Sequence, residues 1–314
     1  MSLNTSKNTS RSVANIQLWT ALVTPFLPNG DIDFNNVTQL AKQQEAAGNG
    51  ITLLGSTGEG LALTQQEQFQ LVKCVTDLQL NVPIMVAVGG YNLPQQIQWI
   101  EQCNALAIDA YLLASPLYAK PASVGLTQWF LSLLDKAQFP CMIYNIPSRS
   151  GVDIPVDVMV NLQAHNNCWA MKESSGDLNT FLSFRQHCPD LAMFSGEDAM
   201  MPYLTHAGVK GLVSVAANVW PQATRKYVEL SLSGRCQSIF PVWKNAIEAL
   251  FQVSSPIPLK VLMHLNKQLN YSRLRAPLTA LEISEDPYAL KRLMQADHEI
   301  NQWYLKTINT MDLM

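Results

Sequence analysis

A lysine at the end of an apolar run is the residue whose surroundings point most directly to chemistry. Lys172 follows Cys168-Trp169-Ala170-Met171, which has the composition of a strand buried on both faces. Burial disfavours the ammonium form, and a neutral amine adds to ketones to form a Schiff base. Lys172 is therefore a candidate nucleophile. The alternative is a lysine that closes its strand and points into solvent.

A second candidate site is the loop Gly55-Ser56-Thr57-Gly58-Glu59-Gly60, where two hydroxyls stand between glycines. Glycines let the backbone approach a ligand closely, and backbone amides together with hydroxyls bind small anions. A phosphate is not favoured, because no Gly-Lys-Ser/Thr sequence follows. The loop is predicted to hold a carboxylate, and a turn without a ligand is the alternative.

Tyr144 and Arg149 form a third group, in the segment YNIPSRSG at 144–151. The planar guanidinium of Arg149 can hold a carboxylate with two parallel hydrogen bonds. The phenol of Tyr144 can carry protons if hydroxyls such as those of Ser56, Thr57 and Tyr118 lie nearby. A solvated arginine and a core tyrosine are the alternatives.

Together these groups predict one reaction on a 2-oxo acid. The hydroxyl loop holds the carboxylate, Lys172 forms an imine with the ketone, and a relay centred on Tyr144 moves protons. The resulting enamine attacks a second carbonyl, which is chemistry of the class I aldolase type. Glu197 and Asp198 follow another strand-like run and are interpreted either as a base or as caps of the next helix.

The composition of the chain excludes several other functions. Its 314 residues carry a net charge of -3 and 14% charged residues without basic runs, so no nucleic-acid or membrane partner is expected. The six cysteines form no CxxC pair, which is typical of reduced thiols in a cytoplasmic protein. The five histidines lack metal-binding spacing, so no metal is expected. No apolar stretch is long enough to cross a bilayer, and residues 1–15 are expected to form a disordered tail.

The elements that must position these side chains repeat along the chain. Short apolar runs alternate eight times with longer amphipathic segments, which predicts an α/β fold, a (β/α)8 TIM barrel over residues 16–235. An open doubly wound sheet is the alternative, but the first run has no glycine-rich dinucleotide loop. Residues 236–314 carry only helical patterns and are predicted to form a C-terminal helical extension. The predicted strands are 19–25, 50–55, 83–89, 110–115, 140–146, 168–172, 192–195 and 211–216.

Three motifs together resemble the dihydrodipicolinate synthase/N-acetylneuraminate lyase family. They are Gly55–Glu59, Tyr144–Arg149 and Lys172–Gly176, in the order and spacing of the family, and the resemblance covers about residues 18–275. The fold of the family, a (β/α)8 barrel with a helical C-terminal part, agrees with the pattern above. The resemblance implies a covalent imine between pyruvate and Lys172, without a cofactor.

The resemblance also implies a role for each site residue. Tyr118 would be contributed across a dimer interface within a homotetramer built from tight dimers. The implied catalytic positions are Lys172, Tyr144, Ser56 and Tyr118, and the implied substrate-binding positions are Thr57, Arg149, Val213 and Gly196.

Arg149 distinguishes the activities within the family. An arginine at this position suits the carboxylate of L-aspartate 4-semialdehyde, so the resemblance implies condensation of pyruvate with this aldehyde to 4-hydroxy-tetrahydrodipicolinate, in lysine and diaminopimelate synthesis. N-acetylneuraminate lyase and 2-keto-3-deoxy sugar acid aldolase activities are the alternatives, since they use the same imine. Ser56 stands where the synthases often have threonine, so the loop does not separate them. A catalytically silent barrel that acts as a binding protein is an alternative of another class.

Positions linked to lysine inhibition in the family differ in this chain. Gln65, Gln68 and Leu117 stand where inhibited relatives often carry histidines and a tyrosine. Gln96 replaces a glutamate, whereas Asn92 is kept. We therefore expect weak or absent inhibition by lysine.

Overall fold

The computed structural model describes residues 11–235 and 240–311 of the chain. Within them, eight parallel strands pair in chain order, and the last pairs with the first to close a barrel. All eight predicted strands are present and the (β/α)8 prediction is confirmed. The strands are β1 Leu18–Ala21, β2 Gly50–Leu53, β3 Ile84–Val88, β4 Ala110–Ala114, β5 Cys141–Asn145, β6 Cys168–Glu173, β7 Ala192–Ser195 and β8 Gly211–Ser214.

Helices follow each strand and cover the outside of the barrel. Short 3-10 turns stand at Gly60–Ala62, Asp198–Met200 and Ala216–Asn218, each after the end of a strand. The helices of the barrel are α1 Phe34–Ala47, α2 Gln65–Thr76, α3 Leu93–Cys103, α4 Ser123–Leu134, α5 Pro147–Ser150, α6 Val156–Leu162, α7 Leu178–His187, α8 Met201–Leu204 and α9 Pro221–Leu232.

Local sequence sets the ends of several helices. At the start of α2 the Thr64 hydroxyl accepts the amide proton of Glu67, and the Glu67 carboxylate accepts that of Thr64, a reciprocal capping box. Helix α1 ends at Gly48, whose φ of 71° is a left-handed conformation that glycine adopts without strain. These signals fix where the chain turns back toward the next strand.

Alternate residues of the strands divide the core into two parts. Side chains that point outward pack against the helices, and those that point inward fill the barrel. Tyr144 and Val213 belong to the inner group, so both point toward the barrel axis. The inner group consists of Trp19, Ala21, Met85, Ala110, Leu112, Met142, Tyr144, Ala170, Phe194 and Val213.

After the barrel, four helices form the C-terminal part: α10 Phe240–Leu250, α11 Ile257–Leu265, α12 Leu281–Ser284 and α13 Pro287–Met311. The Trp243 ring of α10 stacks on Tyr227 of α9 at 4.2 Å between centroids and makes an edge contact with Trp303 of α13. These aromatic contacts attach the extension to the barrel. Residues 236–239 and 312–314 of the predicted extension lie outside the described residues.

The predicted N-terminal tail differs in part from the structure. Residues 1–10 lie outside the described residues, but residues 11–15 are ordered, with a 3-10 turn at Val13–Asn15. Arg11 pairs with Asp109 at 2.6 Å and donates to the Ala107 carbonyl, while Val13 packs against the inner barrel group. The prediction of a disordered tail was wrong for these five residues, because their anchors lie far along the chain. No helix within 11–235 or 240–311 has the length and apolarity needed to cross a membrane.

Candidate active site

Lys172 lies on β6 and points into the barrel. Its side chain is buried, with 6% exposure, and its Nζ stands 4.1 Å from the centre of the Tyr144 ring. The two residues are direct neighbours in the register of β5 and β6. None of the ion pairs in the described part of the chain involves Lys172. The solvent-facing alternative therefore does not hold.

A cavity of about 330 Å³ lies at this end of the barrel. The Tyr144 ring lines it, so the amine of Lys172 lies beside the space that a substrate can enter. Its wall is largely apolar, with Leu112, Leu117 and Ile146, while Arg149 supplies a positive charge. An apolar pocket with few convergent polar groups is the usual form of a small-molecule site.

The Gly55–Gly60 loop is tightly folded, so fewer of its backbone amides can bind an anion than the sequence predicts. The amides of Gly58, Glu59 and Gly60 donate to carbonyls within the loop, and the Thr24 hydroxyl donates to the Gly58 carbonyl at 2.6 Å. Only the first half of the loop, with Ser56 and Thr57, remains for a ligand. Ser56 lines the cavity, whereas Thr57 is buried and is not among the lining residues.

Glu59 ties this loop to the C-terminal helices. Its carboxylate pairs with Lys260 of α11 at 2.5 Å, and both side chains are fully shielded from water. The other carboxylate oxygen of Glu59 accepts the amide proton of Arg275, and Lys260 also donates to the Arg273 carbonyl. Burial lowers the pKa of Lys260 to about 8, although the Glu59 charge favours the ammonium. The pair joins the loop that borders the cavity to α11, and the amide of Arg275, another lining residue, is held by the same carboxylate.

Arg149 stands on the short helix α5, directly after β5. One amino group of its guanidinium donates to the Ser255 carbonyl at 3.0 Å, just before α11. The chain turns away at Gly151, whose φ of 71° ends the helix. Arg149 lines the cavity while the C-terminal part holds it in place, as a carboxylate-binding role requires.

Gly196 follows β7 and lies against Lys172. A Cβ built on Gly196 would lie 2.6 Å from Cε of Lys172 and would overlap Oγ of Ser174. Its amide donates to the Glu173 carbonyl at 2.7 Å, which fixes this approach. The structure thus brings Gly196 next to Lys172, and it places Val213 in the inner group together with Tyr144.

Asp198 is fully buried and supports the end of β8. Its carboxylate accepts the Ser214 hydroxyl and the amides of Val215 and Ala216. Burial raises the pKa of Asp198, and burial together with the Asp198 charge raises the pKa of Glu197. The Asp198 carboxylate therefore holds the β8 turn, and Glu197 forms no side-chain cap on the following turn.

Tyr118 does not join the site of its own chain. Its side chain is 89% exposed, and its backbone has a φ of 68°, which is unusual for a residue other than glycine. Its amide donates to the Ser150 carbonyl, which links the loops after β4 and β5. A large aromatic side chain is thus presented to solvent near the mouth of the barrel.

Three residues around the site have no role predicted from the sequence. Ser174 was quoted in a motif without a role, although side chains alternate along a strand and place it on the same face as Lys172. Glu59 was likewise quoted without a role. Lys260 was not singled out, although it stands in the apolar run Ile257–Met263, much as Lys172 follows its own apolar run.

The positions considered for lysine inhibition fall into two places. Gln65, Gln68, Asn92 and Gln96 line one pocket of about 470 Å³, together with Tyr91 and several glycines. No charged side chain is among the residues described as lining that pocket. Leu117 instead lines the cavity beside Lys172.

Relatives of the chain share one activity name. Residues 15–296 match the model of the dihydrodipicolinate synthetase family. A 4-hydroxy-tetrahydrodipicolinate synthase from Francisella philomiragia is 45% identical over 291 residues, which are 92% of this chain and 97% of the relative. A synthase of the same name from Wolbachia pipientis wMel is 42% identical over 287 residues, 91% of this chain and 96% of the relative.

Solved structures agree with these relatives. Dihydrodipicolinate synthase from Acinetobacter baumannii, complexed with pyruvate, superimposes with a TM-score of 0.84 at 27% identity, covering 91% of this chain and 99% of that one. The enzyme from Cyanidioschyzon merolae, with lysine bound, gives 0.84 at 28% identity, covering 92% and 99%. Together with the barrel and the position of Lys172, these matches show that the chain belongs to the dihydrodipicolinate synthetase family.

Proposed function

We propose that this protein condenses pyruvate with L-aspartate 4-semialdehyde to give 4-hydroxy-tetrahydrodipicolinate, a step of lysine and diaminopimelate synthesis. One observation carries the proposal: the buried amine of Lys172 lies over Tyr144, beside a cavity that Arg149 lines. The relatives at 45% and 42% identity are synthases of this name. The structural neighbour from Acinetobacter baumannii binds pyruvate.

The reaction begins at Lys172. Its nitrogen attacks the ketone carbon of pyruvate, and loss of water from the addition product gives the imine. Ser56 and Thr57 hold the pyruvate carboxylate, and the backbone at Val213 and Gly196 borders the rest of the bound pyruvate. No cofactor or metal takes part, because the protonated imine itself withdraws electrons from the neighbouring methyl group.

Tyr144 moves the protons. Its position in register with Lys172 allows the phenol to reach atoms bonded to Nζ. Removal of a methyl proton gives the enamine, which attacks the aldehyde carbon of the second substrate, and the aldehyde oxygen takes up a proton to become a hydroxyl. The amine of the semialdehyde then attacks the imine carbon, which closes the ring and releases Lys172. Ser56 and Tyr118 extend the relay to solvent. Arg149 holds the carboxylate of the semialdehyde, for which its planar fork is suited.

Reduction with borohydride tests the imine. Incubation with pyruvate and sodium borohydride should add a reduced pyruvate unit to the peptide that contains Lys172, as measured by peptide mass mapping. Incubation without pyruvate is the control. If no adduct forms on Lys172, the chain is better described as a catalytically silent barrel that binds small molecules.

Arg149→Ala tests the second substrate. We expect condensation with the semialdehyde to fall by about 100-fold in kcat/KM, since a charge-assisted bond is lost. The pyruvate adduct should still form. Arg292→Ala, which removes an exposed arginine of α13, is the matched control and should leave the rate unchanged. Cleavage of N-acetylneuraminate by the unaltered protein at a higher rate than the condensation would contradict the proposal.

The active form is proposed to be a homotetramer built from tight dimers, in which Tyr118 completes the site of a partner subunit. The high exposure and left-handed backbone of Tyr118 support this role. Sedimentation analysis should give the mass of four chains. Tyr118→Phe should lower kcat without changing that mass, and a fully active monomer would contradict the proposal.

The setting of the reaction follows from composition. The cysteines of the described residues are free thiols, which suits a reducing compartment, and we propose that the protein works in the cytoplasm. Cys236 lies outside the described residues. With a net charge of -3 and no basic runs, the protein is not expected to bind nucleic acid or membranes.

Lysine is proposed to inhibit weakly or not at all. The pocket that contains Gln65, Gln68 and Gln96 offers amides where a cationic ligand would need a carboxylate. The initial rate should remain above half of its uninhibited value at a lysine concentration of about 1 mM, within the range where weak ligands bind. Half-maximal inhibition below that concentration would contradict this proposal.

A further inference from the structure

Ser174 lies two residues after Lys172, and both side chains face the interior of the barrel. Side chains alternate along a strand, so residues two apart share a face. Lys172 is paired with Phe194, and Glu173 with Ser195, in the register of β6 and β7. Continuing that register sets Ser174 beside Gly196, directly after the strands end. The Ser174 side chain is therefore a neighbour of the reactive amine.

The hydroxyl of Ser174 is buried without a partner. The residue is 3% exposed, and its Oγ has no hydrogen bond to any of the residues that the structure describes. Its backbone amide is satisfied by the Asn145 carbonyl at 2.9 Å. A buried hydroxyl without a partner destabilises a folded protein and is rare in native structures.

Two other serines at the same end of the barrel differ from Ser174, because their hydroxyls have hydrogen-bond partners within the fold. Ser195 follows Phe194 on β7, and its hydroxyl donates to the Glu197 carbonyl at 3.1 Å. Ser214 ends β8, and its hydroxyl donates to the Asp198 carboxylate. Both hydroxyls are used within the fold, so only the Ser174 hydroxyl of these three remains for a ligand.

Gly196 leaves space for this hydroxyl because it has no side chain. Any larger residue at 196 would overlap Oγ of Ser174 and press on Cε of Lys172. The glycine therefore lets a hydroxyl approach the carbon chain of the nucleophile. A group bonded to Nζ of Lys172 comes within reach of the same hydroxyl.

We propose that the Ser174 hydroxyl donates a hydrogen bond to the oxygen that was the ketone oxygen of pyruvate, while that oxygen is bound in the addition product on Lys172. The proposal rests on the proposed function. When the C–N bond forms, the ketone π bond breaks and its oxygen takes up a proton released by the amine. In dehydration the nitrogen lone pair forms the C=N bond, and this oxygen takes a further proton from the Tyr144 phenol and leaves as water, so that a protonated imine remains on Lys172. Ser174 stabilises the oxygen in both steps and undergoes no net proton transfer.

Barrel geometry assigns Ser174 to this oxygen rather than to the carboxylate. In the closed order of eight strands, β2 lies across the barrel from β6. The loop with Ser56 and Thr57 follows β2 and takes the carboxylate on that side. With the carboxylate on that side, our assignment turns the remaining oxygen toward β6 and β7, where the unpartnered hydroxyl of Ser174 stands next to Gly196, and the methyl group toward the apolar wall.

Ser174→Ala tests the assignment. The variant should form the pyruvate adduct about 10- to 100-fold more slowly, the loss expected for one hydrogen bond to an oxygen that gains charge. The adduct is trapped with borohydride at timed intervals and quantified by mass mapping. In a second experiment the imine is formed without borohydride and then diluted. Its hydrolysis should slow by the same factor, since formation and hydrolysis pass through the same addition product. The midpoint of thermal unfolding should stay equal or rise, because a buried unpaired hydroxyl is removed.

Ser175→Ala is the matched control. The Ser175 hydroxyl accepts the amide proton of Asp177 at 3.1 Å and caps a turn, so its loss should leave both adduct rates unchanged. Wild-type rates in Ser174→Ala, or equal slowing in both variants, would overturn the role of Ser174. If the unaltered protein forms no adduct, the proposed function itself fails, and this outcome differs from a Ser174→Ala protein that is slow beside an active wild type.

Discussion

Lys172 and Lys260 are both buried lysines whose Nζ lies over an aromatic ring. Lys172 stands 4.1 Å from the centre of the Tyr144 ring, and Lys260 stands 4.2 Å from that of Phe26. Their exposures are 6% and 0%. They differ in their partners, because Lys260 pairs with Glu59 whereas no ion pair of the described residues includes Lys172. The difference separates a structural lysine from a reactive one.

The partners explain this division of roles. The carboxylate of Glu59 and the Arg273 carbonyl occupy the donors of Lys260, so its nitrogen is engaged within the fold. Lys172 adjoins a cavity wide enough for a small acid, so its nitrogen can reach a substrate. Burial alone therefore does not identify a nucleophile. What identifies it is burial beside open space, without a direct ion pair to a carboxylate of the described residues.

The largest effect is expected from Lys172→Met, which keeps the length of the side chain and removes the amine. Condensation should fall by at least about 10,000-fold, because the covalent intermediate cannot form. The free energy of unfolding should fall less than in Lys260→Met, since Lys172 forms no direct ion pair among the described residues and only acts at longer range on the buried carboxylates of Glu197 and Asp198. A coupled assay and chemical denaturation measure the two quantities. Retention of the borohydride adduct in this variant would assign the nucleophile to another residue.

Lys260→Met should show the opposite pattern. It leaves Glu59 buried without its cation, which costs about 3 to 5 kcal/mol of unfolding free energy. The pyruvate adduct on Lys172 should still form in the folded fraction. The double variant Lys260→Met/Glu59→Gln should recover part of the loss, because the unpaired charge is gone. A Lys260→Met protein with wild-type stability would remove the distinction drawn between the two lysines.

Tyr144→Phe separates the two functions of the ring beneath Lys172. The ring and its packing remain, while the hydroxyl that carries protons is lost, so kcat should fall by about 100-fold. Thermal unfolding should be close to that of the wild type. Phe26→Tyr is the reciprocal change under Lys260 and should leave the chemical step intact. Equal kcat values for Tyr144→Phe and wild type would remove Tyr144 from the proton relay.

The smallest effect is expected from pH. The folded pKa of Lys260 is lowered from 10.5 to about 8, so between these values the unfolded state binds more protons than the folded state. Unfolding then takes up a proton, and this lysine's contribution to stability rises with pH, by at most about 1.4 kcal/mol per unit. The double variant Lys260→Met/Glu59→Gln lacks this pH-dependent contribution to the free energy of unfolding. Parallel denaturation curves for both proteins from pH 7 to 10 measure it, and an identical pH dependence would contradict it.

Much of the fold could be predicted from local patterns. Each strand is a short apolar run bounded by glycine, proline or polar residues, and the eight runs pair in chain order. The capping box at Thr64 was also predictable from the sequence, because both of its partners lie within one helical turn. The position of Lys172 at a strand end placed it correctly near the mouth of the barrel.

What could not be predicted depends on residues far apart in the chain. Glu59 and Lys260 are 201 residues apart, so no local pattern shows that they meet. The same is true of Arg11 and Asp109, and this is why residues 11–15 were assigned to a disordered tail. The exposure of Tyr118 follows from a left-handed turn that the sequence Ser115-Pro116-Leu117 does not specify.

The tie between the hydroxyl loop and α11 has a consequence for biosynthesis. β8 ends at Ser214, so all the strands needed to close the barrel are synthesised before Ser255 and Lys260. Those two residues hold Arg149 and Glu59 in place. During translation the nascent chain thus acquires its nucleophile and its proton carrier first, and the anchors for the second substrate last. A growing chain would remain unable to complete turnover until roughly its final fifth, from Ser255 onward, has docked.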